Sequence, residues 1–403
     1  MTKRRDLLKG LITLPLAGAM TGSPALAQTP AANDSRDYFK ELGVRTFINA
    51  AGTYTILTAS TMLPEVMKAI NFASLQYVRL EELQEKAGER IAELLKCEAA
   101  MVTAGAASAI TLGTAGVVTG GDPKKVAMIP GDLTGMKSEV IIQKSHRVGY
   151  DHAIRNCGVK LVEVETKKQM EAAINEKTAM MWFYNNQNPI GQVRDEEFVA
   201  IGKKHGIPTF NDCAADVPPV ENFWKYTQMG FDLVCFSGGK GIRGPQSAGL
   251  LLGRKDLIKA ALKNASPNGD AIGRGMKVNK EEILGMMVAV EVFLAKDHEA
   301  EWKMWQNQIK MIQDAALSVP GVKADVHVPE IANHVPALTV SWNETKVKAS
   351  PSDIRDALRN GHPSIETMGG KDTIDITTWM MNPGEERIVA KRLKELLQNA
   401  SIS

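Results

Sequence analysis

The stretch DLVCFSGGKGIRGPQSAGLLLGRKD, residues 232–256, decides the fold of this 403-residue chain. Two apolar runs, 232–238 and 248–253, flank a glycine-rich segment that carries a single lysine, Lys240. We predict that both runs are buried strands, because each is short, apolar and bounded by turn residues. The segment between them is too short for a crossover helix. One of the two strands is therefore expected to run antiparallel to the rest of its sheet.

The sequence before this stretch alternates between strand and helix patterns. An amphipathic helix begins near Val78, with apolar residues three to four positions apart. The candidate strands are 99–105, 126–130, 139–143, 160–164, 179–185 and 208–212, and helical patterns lie between most of them. Such alternation predicts an α/β fold with a mainly parallel sheet covered by helices on both faces.

The last quarter of the chain is predicted to form a smaller α+β domain. A long helix over 280–317 leads into it, and both strand and helix patterns follow. We place the boundaries at 1–27 for a leader, 28–75 for a linker and arm, 76–300 for the large ligand-binding domain and 301–403 for the small domain.

The first 27 residues have the pattern of a secretory signal. Arg4 and Arg5 precede an apolar stretch over 7–20, and Ala-Leu-Ala at 25–27 is a small-residue cleavage pattern. The string RRDLLK resembles the twin-arginine type of signal. The alternative, an anchoring helix, is disfavoured because glycine and proline interrupt a short apolar segment. We expect a periplasmic protein with no stable membrane anchor after cleavage.

Charge and cysteine content exclude several classes of function. Removing the leader, with four basic residues and one acidic residue, takes the net charge from +2 to −1. A nearly neutral chain without a basic stripe is not expected to bind nucleic acid. The four cysteines show no C-x-x-C spacing. We interpret them as buried thiols, and no zinc or other metal site is predicted.

Several polar features fall where predicted strands end, and ligands bind at such ends in open α/β sheets. In TAGAASAITLGTAG, residues 103–116, a strand is followed at once by a small-residue helix. Its first backbone N–H groups would suit a phosphate, although close packing of the helix on the sheet explains the pattern equally well. Those groups belong to Gly105, Ala106, Ala107 and Ser108.

Asp212 ends another apolar strand. A buried carboxylate there needs a cationic partner, such as a protonated heterocyclic nitrogen, unless it caps a turn. Asn188, in NNQNPIGQV, first indicates a turn, and its amide is alternatively a contact for a ligand oxygen.

Lys240 is either a solvated loop lysine or an amine partly withdrawn from water, with a lowered pKa and greater nucleophilicity. Ser237, three residues earlier, offers a hydroxyl to a phosphate. One ligand, pyridoxal 5′-phosphate, would use all of these groups. Its phosphate would lie at the 105–108 turn, its ring nitrogen at Asp212, its ring hydroxyl at Asn188 and its aldehyde at Lys240.

Three segments carry a family resemblance: FSGGKGIRGPQSAGLLLGRKDLI, DCAADVPPVENFW and TAGAASAITLGTAG. They resemble fold-type-I pyridoxal phosphate enzymes of the selenocysteine synthase-like group, and within it the D-glucosaminate-6-phosphate ammonia-lyase branch. The similarity extends over about 42–397. It implies an aminotransferase-class-V-like fold with a mainly parallel seven-stranded sheet. It also implies that Lys240 is the Schiff-base lysine, that Asp212 is the partner of the pyridine nitrogen and that the 105–108 turn is the phosphate seat.

The same resemblance suggests further contacts. His146 stands where such folds often place a ring-stacking side chain, although it is equally well a surface residue. These families commonly present an arginine to a substrate carboxylate, whereas this chain has Glu366 where that arginine is sought. Candidate replacements are Arg147, Arg243 and Arg274, the last one as a group that reaches a neighbouring subunit's site.

The resemblance favours α,β-elimination of an amino acid or amino sugar acid, with Lys240 as the general base. Transamination and racemisation remain open, as does a non-catalytic periplasmic binding protein on the same scaffold. An exported chain is not expected to meet tRNA. The resemblance also implies a homodimer or higher homo-oligomer.

Overall fold

The computed structural model describes residues 36–343 and 345–402. The predicted leader at 1–27 lies outside the described residues. The chain divides after Thr46 into two units. Among its described residues, 36–46, the first contains one short helix, α1 (Tyr38–Glu41), which begins where the Asp37 side chain accepts a hydrogen bond from the backbone N–H of Lys40. All other elements belong to the second unit.

The strands of the second unit form three sheets. In chain order the strands are β1 (Phe47–Asn49), β2 (Ala99–Thr103), β3 (Glu139–Gln143), β4 (Lys160–Val164), β5 (Thr178–Tyr184), β6 (Thr209–Asp212), β7 (Leu233–Ser237), β8 (Gly249–Gly253), β9 (Val322–His327), β10 (Ala337–Trp342), β11 (Ser364–Glu366) and β12 (Ile374–Thr377). The large sheet has the order β2-β8-β7-β6-β5-β3-β4. Every neighbouring pair in it is parallel, except that β8 runs antiparallel to both β2 and β7. The predicted mainly parallel seven-stranded sheet, with one antiparallel strand from the 232–253 pair, is confirmed.

Helices cover both faces of this sheet. The helices of the second unit are α2 (Pro64–Ser74), α3 (Leu80–Leu95), α4 (Gly105–Thr119), α5 (Pro123–Met128), α6 (His152–Arg155), α7 (Lys167–Ala173), α8 (Asp195–His205), α9 (Asn222–Met229), α10 (Lys255–Lys263), α11 (Lys280–Ala295), α12 (His298–Leu317), α13 (Pro351–Arg359) and α14 (Glu385–Ala400), of which the last three pack on a smaller sheet. Adjacent residues of β5 serve opposite faces, because side chains alternate along a strand. Phe183 packs in the cluster with Phe198 of α8, and Trp182 packs in the cluster with Ile110 of α4.

Two predictions of secondary structure need correction. The predicted strand 126–130 is wrong, because 123–128 is the helix α5. The Asp122 side chain accepts hydrogen bonds from the backbone N–H groups of Lys124 and Lys125, and Pro123 opens the first turn. The predicted single helix 280–317 is two helices, because Asp297 caps a new helix start at α12.

A three-stranded antiparallel sheet, with the order β12-β10-β9, packs with α12, α13 and α14 around a separate apolar cluster. The third sheet joins distant parts of the chain, since β1 pairs in parallel with β11. The predicted boundaries at 75 and 300 stay predictions. No helix in the described part of the chain is long and apolar enough to span a membrane.

Candidate active site

A cavity of about 770 Å³ opens at the carboxyl ends of the central parallel strands. Tyr184, Asp212 and Ser237, the last residues of β5, β6 and β7, line it. The cavity is also lined by the start of α4, the segment 51–55 and one face of the three-stranded sheet. The cavity therefore lies where the topology of an open α/β sheet predicts a ligand site.

Lys240 lies in this cavity and is half-buried. Burial lowers the pKa of its amine, while the carboxylates of Asp212 and Asp216 oppose that shift. The adjacent glycines are required, because a Cβ at Gly239 would lie 2.5 Å from the Cα of Gln246. The turn thus holds an amine that loses its proton more readily than a solvated lysine does, as a nucleophile or base requires.

Asp212 is buried and lines the same cavity. Its Oδ1 accepts hydrogen bonds from the Ala214 backbone N–H (3.1 Å) and the Cys235 thiol (3.5 Å). Burial raises the pKa of this carboxyl, and the nearby Lys240 amine opposes the rise. Its Oδ2 makes no hydrogen bond within the described residues. A cationic ring nitrogen in the cavity would fit this oxygen and offset the cost of burial.

The start of α4 fits a phosphate. Gly105, Ala106 and Ala107 line the cavity, and no side chain caps the first turn of this 15-residue helix. Its N–H groups are therefore available to an anion, and the helix dipole favours one there. Gly105 has a φ of +86°, which side chains rarely adopt.

Ser237 and Ser108 differ in position. The Ser237 hydroxyl faces the cavity and has no hydrogen bond within the described part of the chain, so it is available to the same anion. Ser108 is buried in α4 and does not line the cavity.

His146 and Asn188 do not line the cavity either. His146 is fully buried, and its Nδ1 accepts a hydrogen bond from the Tyr184 backbone N–H at 3.1 Å. Burial lowers the pKa of this imidazole to about 4. The amide oxygen of Asn188 accepts a hydrogen bond from the Asp195 backbone N–H at 3.2 Å, at the start of α8. In the structure both side chains stabilise local backbone.

None of the three candidate arginines lines the cavity. Arg147 forms ion pairs with Asp151 and Glu163. Arg243 donates hydrogen bonds to the backbone oxygen and hydroxyl of Thr61. Arg274 is exposed in a turn before α11. Among the residues that the structure describes, Lys240 is the only lysine or arginine that lines the cavity.

Sequence reasoning missed Asp216, a second buried carboxyl in the cavity wall. It accepts a hydrogen bond from Asn185 Nδ2 at 2.6 Å, and the same amide group donates to the Tyr226 hydroxyl at 2.7 Å. Burial raises the pKa of Asp216 to about 7, and the neighbouring Asp212 adds to the rise. The signal was present in the sequence, because DCAAD places the second carboxyl four residues after Asp212.

Other missed residues come from the three-stranded sheet and its surroundings: Tyr54, Thr339, Asp375, Thr377 and Trp379. Local sequence patterns gave no sign of them. Tyr150 also lines the cavity, although nothing in its surrounding sequence indicated this.

Comparisons with known proteins identify the family of this chain. The family model described as L-seryl-tRNA selenium transferase (SelA) matches residues 47–322. The chain belongs to the SelA family. No group of His, Cys, Asp and Glu side chains suited to a metal ion occurs within the described ranges of this SelA-family chain.

Three relatives show how the SelA-family chain is related to proteins of known activity. It is 30% identical to D-glucosaminate-6-phosphate ammonia lyase of Salmonella typhimurium, over 90% of this chain and 98% of the relative. It is 27% identical to 5′-C-glycyluridine monooxygenase-decarboxylase of a Streptomyces species, over 89% and 92%. It is 26% identical to L-seryl-tRNA(Sec) selenium transferase of Aquifex aeolicus, over 88% and 84%.

Solved structures give the same fold. A structure of D-glucosaminate-6-phosphate ammonia-lyase superimposes with a TM-score of 0.79 at 28% identity, over 91% of this SelA-family chain and 99% of that one. A serine palmitoyltransferase (SPT) structure with pyridoxal phosphate (PLP) has a TM-score of 0.57 at 11% identity, over 88% of each chain, which shows the fold alone. The SelA-family chain therefore has the fold of the fold-type-I pyridoxal phosphate enzymes, as the sequence predicts.

Proposed function

We propose that this protein is a pyridoxal-phosphate-dependent ammonia-lyase that acts on an amino acid or amino sugar acid by α,β-elimination. One observation carries the proposal: Lys240, the free oxygen of Asp212 and the uncapped start of α4 all line a single cavity. The similarity to an ammonia lyase over nine-tenths of the chain supports this reaction class. Because the relatives are enzymes, the alternative of a non-catalytic binding protein is set aside.

Each wall of the cavity has a role in holding the cofactor. When bound, pyridoxal phosphate supplies an electron sink for the negative charge left at the substrate's α-carbon. The N–H groups at the start of α4 and the Ser237 hydroxyl would hold the phosphate. Asp212 would accept a hydrogen bond from the ring nitrogen and keep it protonated. Tyr150 is the cavity-lining residue of the 144–152 segment, so we assign the contact with the ring to Tyr150 rather than to His146.

Lys240 would hold the cofactor covalently and would later act on the substrate. Once free, its amine accepts the proton from the α-carbon, which requires an unprotonated nitrogen. The burial that lowers its pKa favours that form. Elimination would break the bond to the β-substituent and leave an enamine, and water would hydrolyse its imine tautomer to a keto acid and ammonia. Return of the proton to the α-carbon would instead give racemisation, and transamination would require a keto-acid acceptor for the amino group.

The test compares Lys240→Ala with Lys255→Ala, a control at an exposed lysine of α10. Borohydride reduction followed by peptide mass spectrometry should locate the cofactor on Lys240 in the wild type and in the control. The Lys240→Ala protein should fold but lose turnover. Full activity in that variant, or a protein that cannot be loaded with the cofactor, would refute the proposal.

Product analysis separates the reaction classes. Ammonia release without a keto-acid acceptor indicates elimination. A requirement for the acceptor indicates transamination, and loss of optical activity without ammonia indicates racemisation.

Export by the twin-arginine route is part of the same proposal. It is supported by the Arg4-Arg5 pattern and by the small-residue sequence at 25–27. Because that route carries folded proteins, the cofactor would be loaded before transit. Mass spectrometry of protein from the periplasmic fraction should find an N terminus at Gln28. Protein that stays in the cytoplasm with its first 27 residues intact would contradict export.

We also propose a homodimer. Large apolar side chains are exposed at the end of α2 and just after it, with Phe72 at 63%, Leu75 at 80% and Tyr77 fully exposed, and Ile56 in the 55–57 turn is 91% exposed. Such exposed apolar side chains support an interaction surface in this part of the chain. Ile56 adjoins Thr55, which lines the cavity, so a second copy there would lie beside the site. Light scattering should give at least twice the monomer mass, and Ile56→Glu with Leu75→Glu should lower it. A monomeric wild type would contradict the proposal.

A further inference from the structure

One face of the three-stranded sheet points into the cavity. Thr339 of β10 lies directly opposite Asp375 of β12, and Thr377 follows Asp375 by two residues. Because side chains alternate along a strand, these three belong to the same face, and all three line the cavity. Trp379, just beyond β12, and Tyr54 adjoin them in the lining. We call these five residues the small-sheet wall.

The small-sheet wall is acidic and has no lysine or arginine. Asp375 supplies its carboxylate, and Lys240, on the separate 238–248 turn, is the one lysine or arginine among the described residues of the lining. An imidazole, His327, also lines the cavity but is exposed. A phosphate or carboxylate at the small-sheet wall would therefore approach a like charge. Like charges brought together at a binding surface weaken binding strongly.

Several polar groups of the small-sheet wall lack a partner in the part of the chain that the structure describes. Thr339 donates to Asp375 Oδ1 at 2.9 Å, and Asp375 Oδ2 makes no hydrogen bond. The Thr377 hydroxyl oxygen is buried without a partner. Trp379 is only 5% exposed, and its indole N–H makes no hydrogen bond. The Thr377 hydroxyl oxygen is buried, and buried polar groups are normally satisfied, so it calls for a ligand. Asp375 is half-buried and Trp379 lines the same cavity, so the free carboxylate oxygen and the indole N–H are available to that ligand.

The unpartnered groups define the chemistry of that ligand. A carboxylate oxygen accepts hydrogen bonds, an indole N–H donates one, and a threonine hydroxyl does either. A hydroxyl group can serve each of them, because it both donates and accepts. An anionic group cannot donate to Asp375, and an ammonium group cannot accept from Trp379.

We infer that the small-sheet wall binds the uncharged, hydroxyl-bearing chain of an unphosphorylated amino sugar acid. The inference rests on the proposed function, because Lys240 fixes where the amino end of the substrate lies. The inferred substrate lacks the 6-phosphate that the name of the Salmonella relative specifies. Asp375 and Trp379 are the residues that determine specificity in this assignment.

Calorimetric titration of the cofactor-loaded protein tests the inference with D-glucosaminate and D-glucosaminate 6-phosphate as probes. We expect the unphosphorylated compound to bind at least about tenfold more tightly, as for a like charge brought against a carboxylate. Asp375→Asn removes that charge, so the preference should fall by about tenfold. The control Asp372→Asn makes the same charge change at an exposed loop position and should keep the wild-type preference.

Equal or tighter binding of the phosphorylated compound by the wild type would overturn the inference. So would an unchanged preference in Asp375→Asn, or failure of both probes to bind. Tighter binding of ornithine, which carries a cation at the far end, would overturn the assignment to a hydroxyl chain. The borohydride test at Lys240 is read separately. If borohydride still fixes the cofactor on Lys240 but the probes bind in the wrong order, only the inferred substrate class is wrong. If borohydride does not fix the cofactor there, the proposed function itself fails.

Discussion

Replacing Asp216 with asparagine should remove a pH dependence from the stability of the cofactor-free protein. Burial raises the pKa of this carboxyl from its usual 3.8 to about 7 in the folded state. Folded protein therefore holds the proton up to about pH 7, while the unfolded chain releases it near pH 3.8. The stabilisation is complete below the unfolded pKa and is lost as the pH rises to the folded pKa.

The size of the change in the free energy of unfolding follows from the difference between the folded and unfolded pKa of Asp216. Each unit of pKa difference corresponds to about 1.4 kcal/mol, so the loss between pH 5 and the folded pKa is about 3 kcal/mol. Asparagine resembles the protonated carboxyl and can still accept the hydrogen bond from Asn185. The wild type should therefore lose about 3 kcal/mol relative to Asp216→Asn between pH 5 and pH 8.

Urea unfolding at several pH values, followed by tryptophan fluorescence and circular dichroism, measures this difference. Asp372→Asn, at an exposed position, serves as the control and should follow the wild type. A constant difference between wild type and Asp216→Asn over the whole range would refute the reasoning. It would show that Asp216 titrates outside this window in the folded protein.

Three further predictions concern the cavity and the thiols. Asp212→Asn should weaken cofactor binding by about tenfold to a hundredfold in a fluorescence titration, as expected for loss of a hydrogen bond to a charged group; unchanged affinity would contradict its role. Gly249→Ala should cost about 1–3 kcal/mol by overpacking, because its Cβ would lie 2.6 Å from the Gly105 carbonyl carbon. Thermal melting should show this loss together with weaker cofactor retention, whereas Gly275→Ala, with open space around its Cβ, should leave both unchanged. Burial raises the pKa of all four cysteine thiols, so they should resist Ellman's reagent at pH 8 until the protein unfolds; rapid reaction of the native protein would contradict this.

The large sheet was predictable because its signals are local. Apolar runs mark the strands, and the short connection before β8 reveals its direction. The error at 126–130 was avoidable, since Asp122 followed by Pro123 is a helix start. Asp212 and Lys240 were found for a related reason, because their positions follow directly from where β6 and β7 end.

The rest of the site depends on contacts between distant parts of the chain. His146 follows β3 closely, but the direction of its side chain is set by the backbone of Tyr184, which no local pattern records. Asp375 and Trp379 reach the cavity only through the packing of a second sheet. Sequence patterns could therefore locate the lysine of the cavity but not the small-sheet wall.

The pairing of β1 with β11 has a consequence for how the protein is made. Residues 47–49 leave the ribosome more than 300 residues before their partners at 364–366. The segment 51–55, which follows β1, lines the cavity together with residues 375–379. The cavity wall is thus completed only after residues 375–379 are synthesised, and a shorter nascent chain has no finished pocket in which to retain its cofactor.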